Sequence, residues 1–335
     1  MTTQQLPAPN KLMSYAVLRR LWDFGHFRNP KYPDTHTVNE VDLKHLSLTD
    51  PRISQAVKSF QEIDANYKII GLANLGRESL PDGDFGPISN ELMNLKRCGC
   101  PDYGLTARDE SNYGGWPTPG CDLTDPRIIN KNEFSIRVNL DTSRIPSRIK
   151  EYLNQALEAC VECYRLIGIR LRYVLDGNPN ESEISKKFES LGGSVIGWNE
   201  FPNSNTCNQT IDGRLDTGYT PSDWRYFANL ETHETGHGVG LEHTRGGIMN
   251  PSILLIWPLT FVGDPSYNAI KRMYPPATEI PKFGVIPPPP PPVNKLIGKI
   301  SADLFSDGTI SGKIVYESIP TDPGTTTPNS PTGPF

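Results

Sequence analysis

The chain has 335 residues, which at about 150 residues per domain allows two domains, each large enough to bury its own core, and excludes a lone mini-protein. With 33 Lys and Arg against 38 Asp and Glu, the net charge is −5 and no concentrated basic block exists, which excludes nucleic-acid binding as the main role. Hydrophobic residues at 36 % and charged residues at 21 % describe a polar but globular chain, and twelve of its 32 prolines fall after residue 280.

No stretch approaches the ~18 apolar residues that cross a bilayer, so membrane insertion is not expected. Met1 to Asn10 is polar and Arg19 and Arg20 interrupt the next segment, so no apolar core of a secretion signal is read there. Residues 12 to 27 read as one helix. Asp50-Pro51 opens a second, with Ile53, Ala56, Val57 and Phe60 at helical spacing, and Gly86-Pro87 opens a third containing Ile88, Leu92 and Leu95. Residues 103 to 132 carry Gly114-Gly115, Pro117, Pro119-Gly120 and Pro126 without periodicity, the composition of an exposed connection. From Phe134 the alternation of Ile136, Val138 and Leu140 predicts a strand. Ile149, Leu153, Ala156, Cys160, Cys163 and Ile167 then predict a helix, and Ile169, Leu171, Tyr173 and Leu175 a second strand parallel to the first. Cys160 and Cys163 lie on the apolar stripe, which makes them buried core thiols rather than a redox pair. Ile184 to Phe188 and Ser194 to Trp198 supply further strands, and a helix follows Trp224. Pro287 to Pro292 form a polyproline spacer, Lys299 to Phe305 and Thr309 to Glu317 a hairpin about Ser306-Asp307-Gly308, and the residues from Pro320 a disordered tail.

Residues 233 to 243 read HETGHGVGLEH. On a helix His233 and His237, four apart, share a face and can both reach one zinc ion, while Glu234 stands beside the first ligand as general base for an activated water. Gly240 lets the backbone leave the helix so that His243 can swing round as a third ligand. Three protein ligands with one open position describe a catalytic rather than a structural zinc site. The remaining histidines, His26, His36 and His45, lie in the N-terminal part, so a single zinc ion is expected. Asp176 to Glu183 is rich in oxygen ligands without EF-hand spacing, which leaves calcium open.

Ile248-Met249-Asn250-Pro251 follows His243, and here the chain resembles the metzincin zinc peptidases of the matrixin (matrix metalloproteinase-like) family, whose methionine turn runs beneath the metal. The resemblance makes Met249 that methionine, a packing residue, with a spacing from His243 about two residues shorter than the family's usual one. Upstream, Arg97-Cys98-Gly99-Cys100-Pro101-Asp102 resembles the cysteine switch of matrixin proforms, with Lys96 replacing the leading proline and Cys100 at the variable position. The likeness implies that Cys98 occupies the open metal position as a thiolate while Arg97 and Asp102 clamp the loop. In an extended loop Cys98 and Cys100 share a face, which leaves the metal-binding thiol undecided, and a loop that binds nothing or forms a disulfide is the other reading. Asp50 to Gln61 and Asp82 to Pro87 are similar to the peptidoglycan-binding-like helical domain that serves as the matrixin propeptide, so that with residues 134 to 274 the resemblance covers about two thirds of the chain.

The resemblance implies an α+β metzincin catalytic domain, a twisted mixed sheet with long helices and zinc in the cleft, preceded by a small helical prodomain. The expected organisation is a prodomain over 1–104, an activation linker over 105–132, the catalytic domain over 133–280, a proline-rich linker over 281–293 and a small tail over 294–335. It also implies an extended peptide substrate lying on an edge strand at Ser194, Val195, Ile196 and Gly197, with Pro251, Ser252 and Ile253 shaping the specificity wall. The implied function is a zinc-dependent metalloendopeptidase made as a latent proenzyme, a monomer, in an extracellular setting. The alternative is a peptidoglycan-binding cell-wall protein or wall-peptide hydrolase.

Overall fold

The computed structural model describes residues 12–103, 134–202, 210–274, 297–304 and 310–317, and the chain divides into two units, Met1–Ile280 and Pro281–Phe335. The connection expected over 105–132, the proline spacer and the tail from Pro320 lie outside the described residues.

The N-terminal part of the first unit is helical. α1 (Tyr15–Asp23) starts on Ser14, whose hydroxyl accepts from the Val17 N–H. It stops short of the expected residue 27 because Gly25 takes a φ of 80°, a left-handed conformation from which His26–Arg28 continue only as a 3-10 turn. α2 (Pro51–Ile63) has Asp50 accepting from the Arg52 N–H and a proline in its first turn, and it buries Ile53, Ala56, Val57 and Phe60 as the spacing predicts. α3 (Asn66–Leu75) was not predicted. Its apolar residues point both ways, with Tyr67 and Ile70 buried and Ile69, Leu72 and Leu75 exposed, so no single stripe marks it in the sequence. α4 (Pro87–Asn94) follows Gly86, and these helices close over a core that includes Leu21, Phe27, Val57, Phe60, Phe85 and Leu92.

The rest of the unit is a mixed α/β arrangement built on a six-stranded, mostly parallel sheet. Its strands are β1 (Arg97–Cys98), β2 (Phe134–Asp141), β3 (Ile169–Leu175), β4 (Ile184–Glu189), β5 (Val195–Asn199) and β6 (Ile211–Asp216), in the order β1-β5-β6-β4-β2-β3. β2 pairs in parallel with β3, from Phe134 against Ile169 to Leu140 against Leu175, as the strand-helix-strand pattern predicts. Only β5 runs antiparallel to its neighbour β6. β6 escaped prediction because Ile211, Gly213 and Leu215 give its inward face only two apolar side chains.

Between β2 and β3 come a short helix, α5 (Ser147–Lys150), and α6 (Leu153–Arg165); α7 (Trp224–Gly238) and α8 (Tyr267–Met273) follow the sheet. The inward residues Ile136, Val138, Ile169, Leu171, Ile184 and Phe188 form one core with residues of α6 and α7. Cys160 and Cys163 are fully buried in that core. Among the described residues no helix is long and apolar enough to cross a membrane. In the second unit β7 (Ile297–Leu304) and β8 (Ile310–Glu317) pair antiparallel, the hairpin the sequence predicts.

Candidate metal centre

Every residue of α7 from Phe227 to Gly238 is buried, so its polar side chains must find partners inside the protein. On the side facing the sheet, the buried Lys186 of β4 donates to Glu231 Oε1 and Thr235 Oγ1, each at 2.7 Å, and the Tyr173 hydroxyl donates to the same Glu231 oxygen at 2.7 Å. The Tyr164 hydroxyl donates to the Thr232 carbonyl at 2.8 Å. His233, Glu234 and His237 are left for another face.

At the end of α7, Leu241 N–H donates to the Gly236 carbonyl at 2.8 Å and Gly240 takes a φ of 94°, which a bulkier residue would adopt only under strain. The turn returns His243 towards the helix. The three Nε2 atoms lie 3.1 Å (His233 and His237), 3.2 Å (His237 and His243) and 3.3 Å (His233 and His243) apart. His233 Nδ1 is 2.7 Å from the Ile248 carbonyl and His237 Nδ1 is 2.7 Å from the Leu241 carbonyl. A carbonyl can only accept, so each Nδ1 carries the proton and each Nε2 presents a lone pair. Burial favours the neutral imidazoles, lowering His233 to about 3 and His237 well below its ordinary value. His243 Nδ1 stands 2.7 Å from an Asp102 oxygen, another acceptor, so its Nε2 is likewise available. Lone pairs converging at this distance repel each other, and a cation among them removes that repulsion.

Cys98 Sγ lies 3.4 Å from His237 Nε2 and joins the three histidines in one buried group able to hold a metal ion. Cys98, Cys100, Glu234 and His237 form a second, overlapping group. The sequence leaves the choice of thiol open; here Cys100 turns its Sγ to the Asn199 carbonyl at 3.2 Å, and Cys98 is the thiol that stands with all three histidines. Burial pushes the Cys98 thiol well above its ordinary value, so its thiolate needs a cation beside it. Glu234 Oε2 is 3.6 Å from Cys98 Sγ, and Oε1 is buried with no hydrogen-bond partner. Burial raises Glu234 to about 8, against the opposing charge of Lys186. Gly197 of β5 makes room for this carboxylate, since a Cβ there would sit 2.4 Å from Glu234 Oε1.

Arg97 and Asp102 pair as expected. The fully buried Arg97 guanidinium donates to both Asp102 oxygens, at 2.8 and 2.9 Å, and rests 3.7 Å over the Phe24 ring. Burial opposes the Asp102 charge, but Arg97 and the neighbouring His243 and His26 outweigh it and hold the carboxyl well below the usual range. His26 Nε2, 3.0 Å from the second Asp102 oxygen, was not singled out in the sequence, where nothing in its spacing ties it to residue 102.

The backbone of residues 96–99 is held on both sides. Arg97 N–H donates to the Ser194 carbonyl and Gly99 N–H to the Gly197 carbonyl, while Cys98 N–H donates to the Pro251 carbonyl and Ile253 N–H to the Lys96 carbonyl. In register, Arg97 faces Val195 and Cys98 faces Gly197. Of the residues expected to line a substrate, Ser194, Val195, Gly197, Pro251 and Ile253 therefore meet this segment. The Ile196 side chain does not, because strand alternation sends it into the core. Ser252 meets the segment too, as the antiparallel bridge partner of Arg97, and turns its hydroxyl to Asp64 of the helical part. Met249 is fully buried, with its sulfur the nearest side-chain atom to the site where a Cβ on Gly236 of α7 would stand. In the oxygen-rich segment, Asp176 accepts from the Thr142 N–H and hydroxyl and Glu183 from the Arg137 N–H. No protein-family model matches the chain, and no curated protein matches it.

Proposed function

We propose that the chain is a zinc-dependent metalloendopeptidase of metzincin type, akin to the matrixins, kept latent by its own N-terminal helical segment. The observation that carries this reading is the ligand spacing. Zn–N distances of ~2.0–2.1 Å in a tetrahedron separate two nitrogens by about 3.3–3.4 Å, and a Zn–S distance of ~2.3 Å puts sulfur about 3.5–3.6 Å from nitrogen. The nitrogens lie 3.1–3.3 Å apart and the sulfur 3.4 Å from the nearest, within a few tenths of an ångström of those edges. His233, His237 and His243 would hold the ion, with Cys98 as fourth ligand in the latent chain. Bound there, zinc would supply Lewis-acid polarisation of a scissile carbonyl and acidity for a water near neutral pH.

Glu234, whose Oε1 has no hydrogen-bond partner, would be the group that accepts a proton from water there and returns it to the leaving amine. Once the Arg97–Cys98 strand has left, the Ser194, Gly197 and Pro251 carbonyls are free to accept from the main chain of an extended peptide, which β5 then holds as an added strand. Arg97 and Asp102 keep Cys98 in place until that exchange.

Metal analysis and a chelator-sensitive peptide cleavage assay test the reading. Glu234→Ala should retain one zinc per chain and lose about 10²–10⁴-fold in hydrolysis, and Cys98→Ala should raise the activity of the full-length chain. A protein without zinc, or a Glu234→Ala variant as active as its parent, would overturn it.

A further inference from the structure

The helical segment touches the sheet-bearing part at a second place, which shares no side chain with the thiol contact. Asp64, the residue that closes α2, is fully buried although no cation pairs with it among its hydrogen-bond partners. A buried carboxylate is costly unless donors meet its oxygens, and most of the donors here come from across the interface. Asn250 Nδ2 donates to Asp64 Oδ1 at 2.9 Å, the Ser252 hydroxyl donates to Oδ2, and the neighbouring Ala65 N–H donates back to Asn250 Oδ1 at 3.0 Å. Asn66 N–H supplies the local donor, at 2.9 Å from Oδ1.

The receiving side is oriented by its own loop. Asn250 Oδ1 accepts from the Gly246 N–H at 3.0 Å, and Nδ2 donates to the Ser252 carbonyl at 2.7 Å. The amide therefore keeps its direction without Asp64, and the same loop carries the Pro251 carbonyl that accepts from Cys98 N–H. We propose that Asn250 and Ser252 form a carboxylate receptor on the loop after Met249, that Asp64 is its resident, and that this contact is a second latch holding the helical segment over the metal centre independently of Cys98. Its effect on latency rests on the peptidase reading above; the contact itself can be measured without catalysis. Modifying the thiol alone would then leave the segment docked.

The test uses the full chain. Alkylation of Cys98 by iodoacetamide, read at that residue by peptide mass spectrometry, reports how often the buried thiol opens. Asp64→Ala should speed it about tenfold or more, Ser252→Ala by less, and the double variant no more than Asp64→Ala alone, because both changes break one contact. Ser252→Ala leaves the helical segment untouched, so its acceleration separates a lost latch from a misfolded Asp64 variant. A parent-like rate in both single variants, or effects that simply multiply in the double, would overturn the proposal. In a Cys98→Ala background, adding Asp64→Ala should raise peptide hydrolysis several-fold further. No further rise would remove the latch and leave the peptidase standing. Alkylation following the expected pattern in variants that cleave nothing would remove the peptidase and leave the latch standing.

Discussion

His243 completes the group of three histidines able to hold a metal ion, and it does so with help from far along the chain. Its Nδ1 stands 2.7 Å from Asp102, which Arg97 holds with two hydrogen bonds. A partner at the far nitrogen of a metal-binding imidazole typically contributes ~10–100-fold to affinity, so Asp102→Asn should weaken zinc binding to the full-length chain by about that factor. His243→Ala should weaken it more. Competition with a chromogenic chelator measures both, and an unchanged affinity in Asp102→Asn would mean that the carboxylate serves Arg97 alone. The three histidines were legible because their spacing falls within one helix and its exit. His26 and Asp64 were not, because each meets its partner through packing between segments that no local pattern relates.

α7 can carry polar residues on all sides because other elements satisfy them. Lys186 alternates in phase with Ile184 and Phe188 and so lies on the inward face of β4, where it is fully buried with Glu231. A lysine at an inward position of an apolar strand was the visible signal of a buried partner, though not of which one. Lys186→Met would leave Glu231 buried and unpaired by any cation. Removing one partner of a buried pair costs ~3–5 kcal/mol, and the Tyr173 and Thr235 hydroxyls that still donate to Glu231 place the expected loss near ~3 kcal/mol by urea unfolding. A loss under ~1 kcal/mol would show that those hydroxyls suffice. α3 and β6, two of the elements that prediction missed, lack a continuous apolar face of their own, and neighbouring elements decide their conformation.

Across the whole molecule, the joint between the helical and sheet-bearing parts sets a pH dependence. Burial lowers His26 below its ordinary 6.5, partly offset by Asp102, so below about pH 6.5 the unfolded chain takes up a proton that the folded chain resists. Its contribution is therefore complete above pH 6.5 and declines as the pH falls. Asp102 is shifted the other way from its own reference: held well below 3.8, it contributes fully above that value and is lost only on further acidification. Thermal midpoints of the zinc-loaded chain should thus fall steadily between pH 6.5 and 4.5 while the Arg97–Asp102 pair persists. A flat profile over that range would show that His26 does not remain neutral.

By itself the sequence determined the chemistry on offer: two imidazoles on one helix face, a glycine exit that returns a third, a glutamate beside them, and an upstream Arg-Cys-Gly-Cys-Pro-Asp run. These are local patterns, and backbone geometry fixes which face each residue takes. Only the tertiary structure decided that Cys98 rather than Cys100 stands with the three histidines, that Ile196 faces the core, and that Asp64 fills the site between Asn250 and Ser252. Those outcomes depend on which buried charges and thiols meet across distant segments, and packing selects such partners through the cost of leaving any of them unpaired.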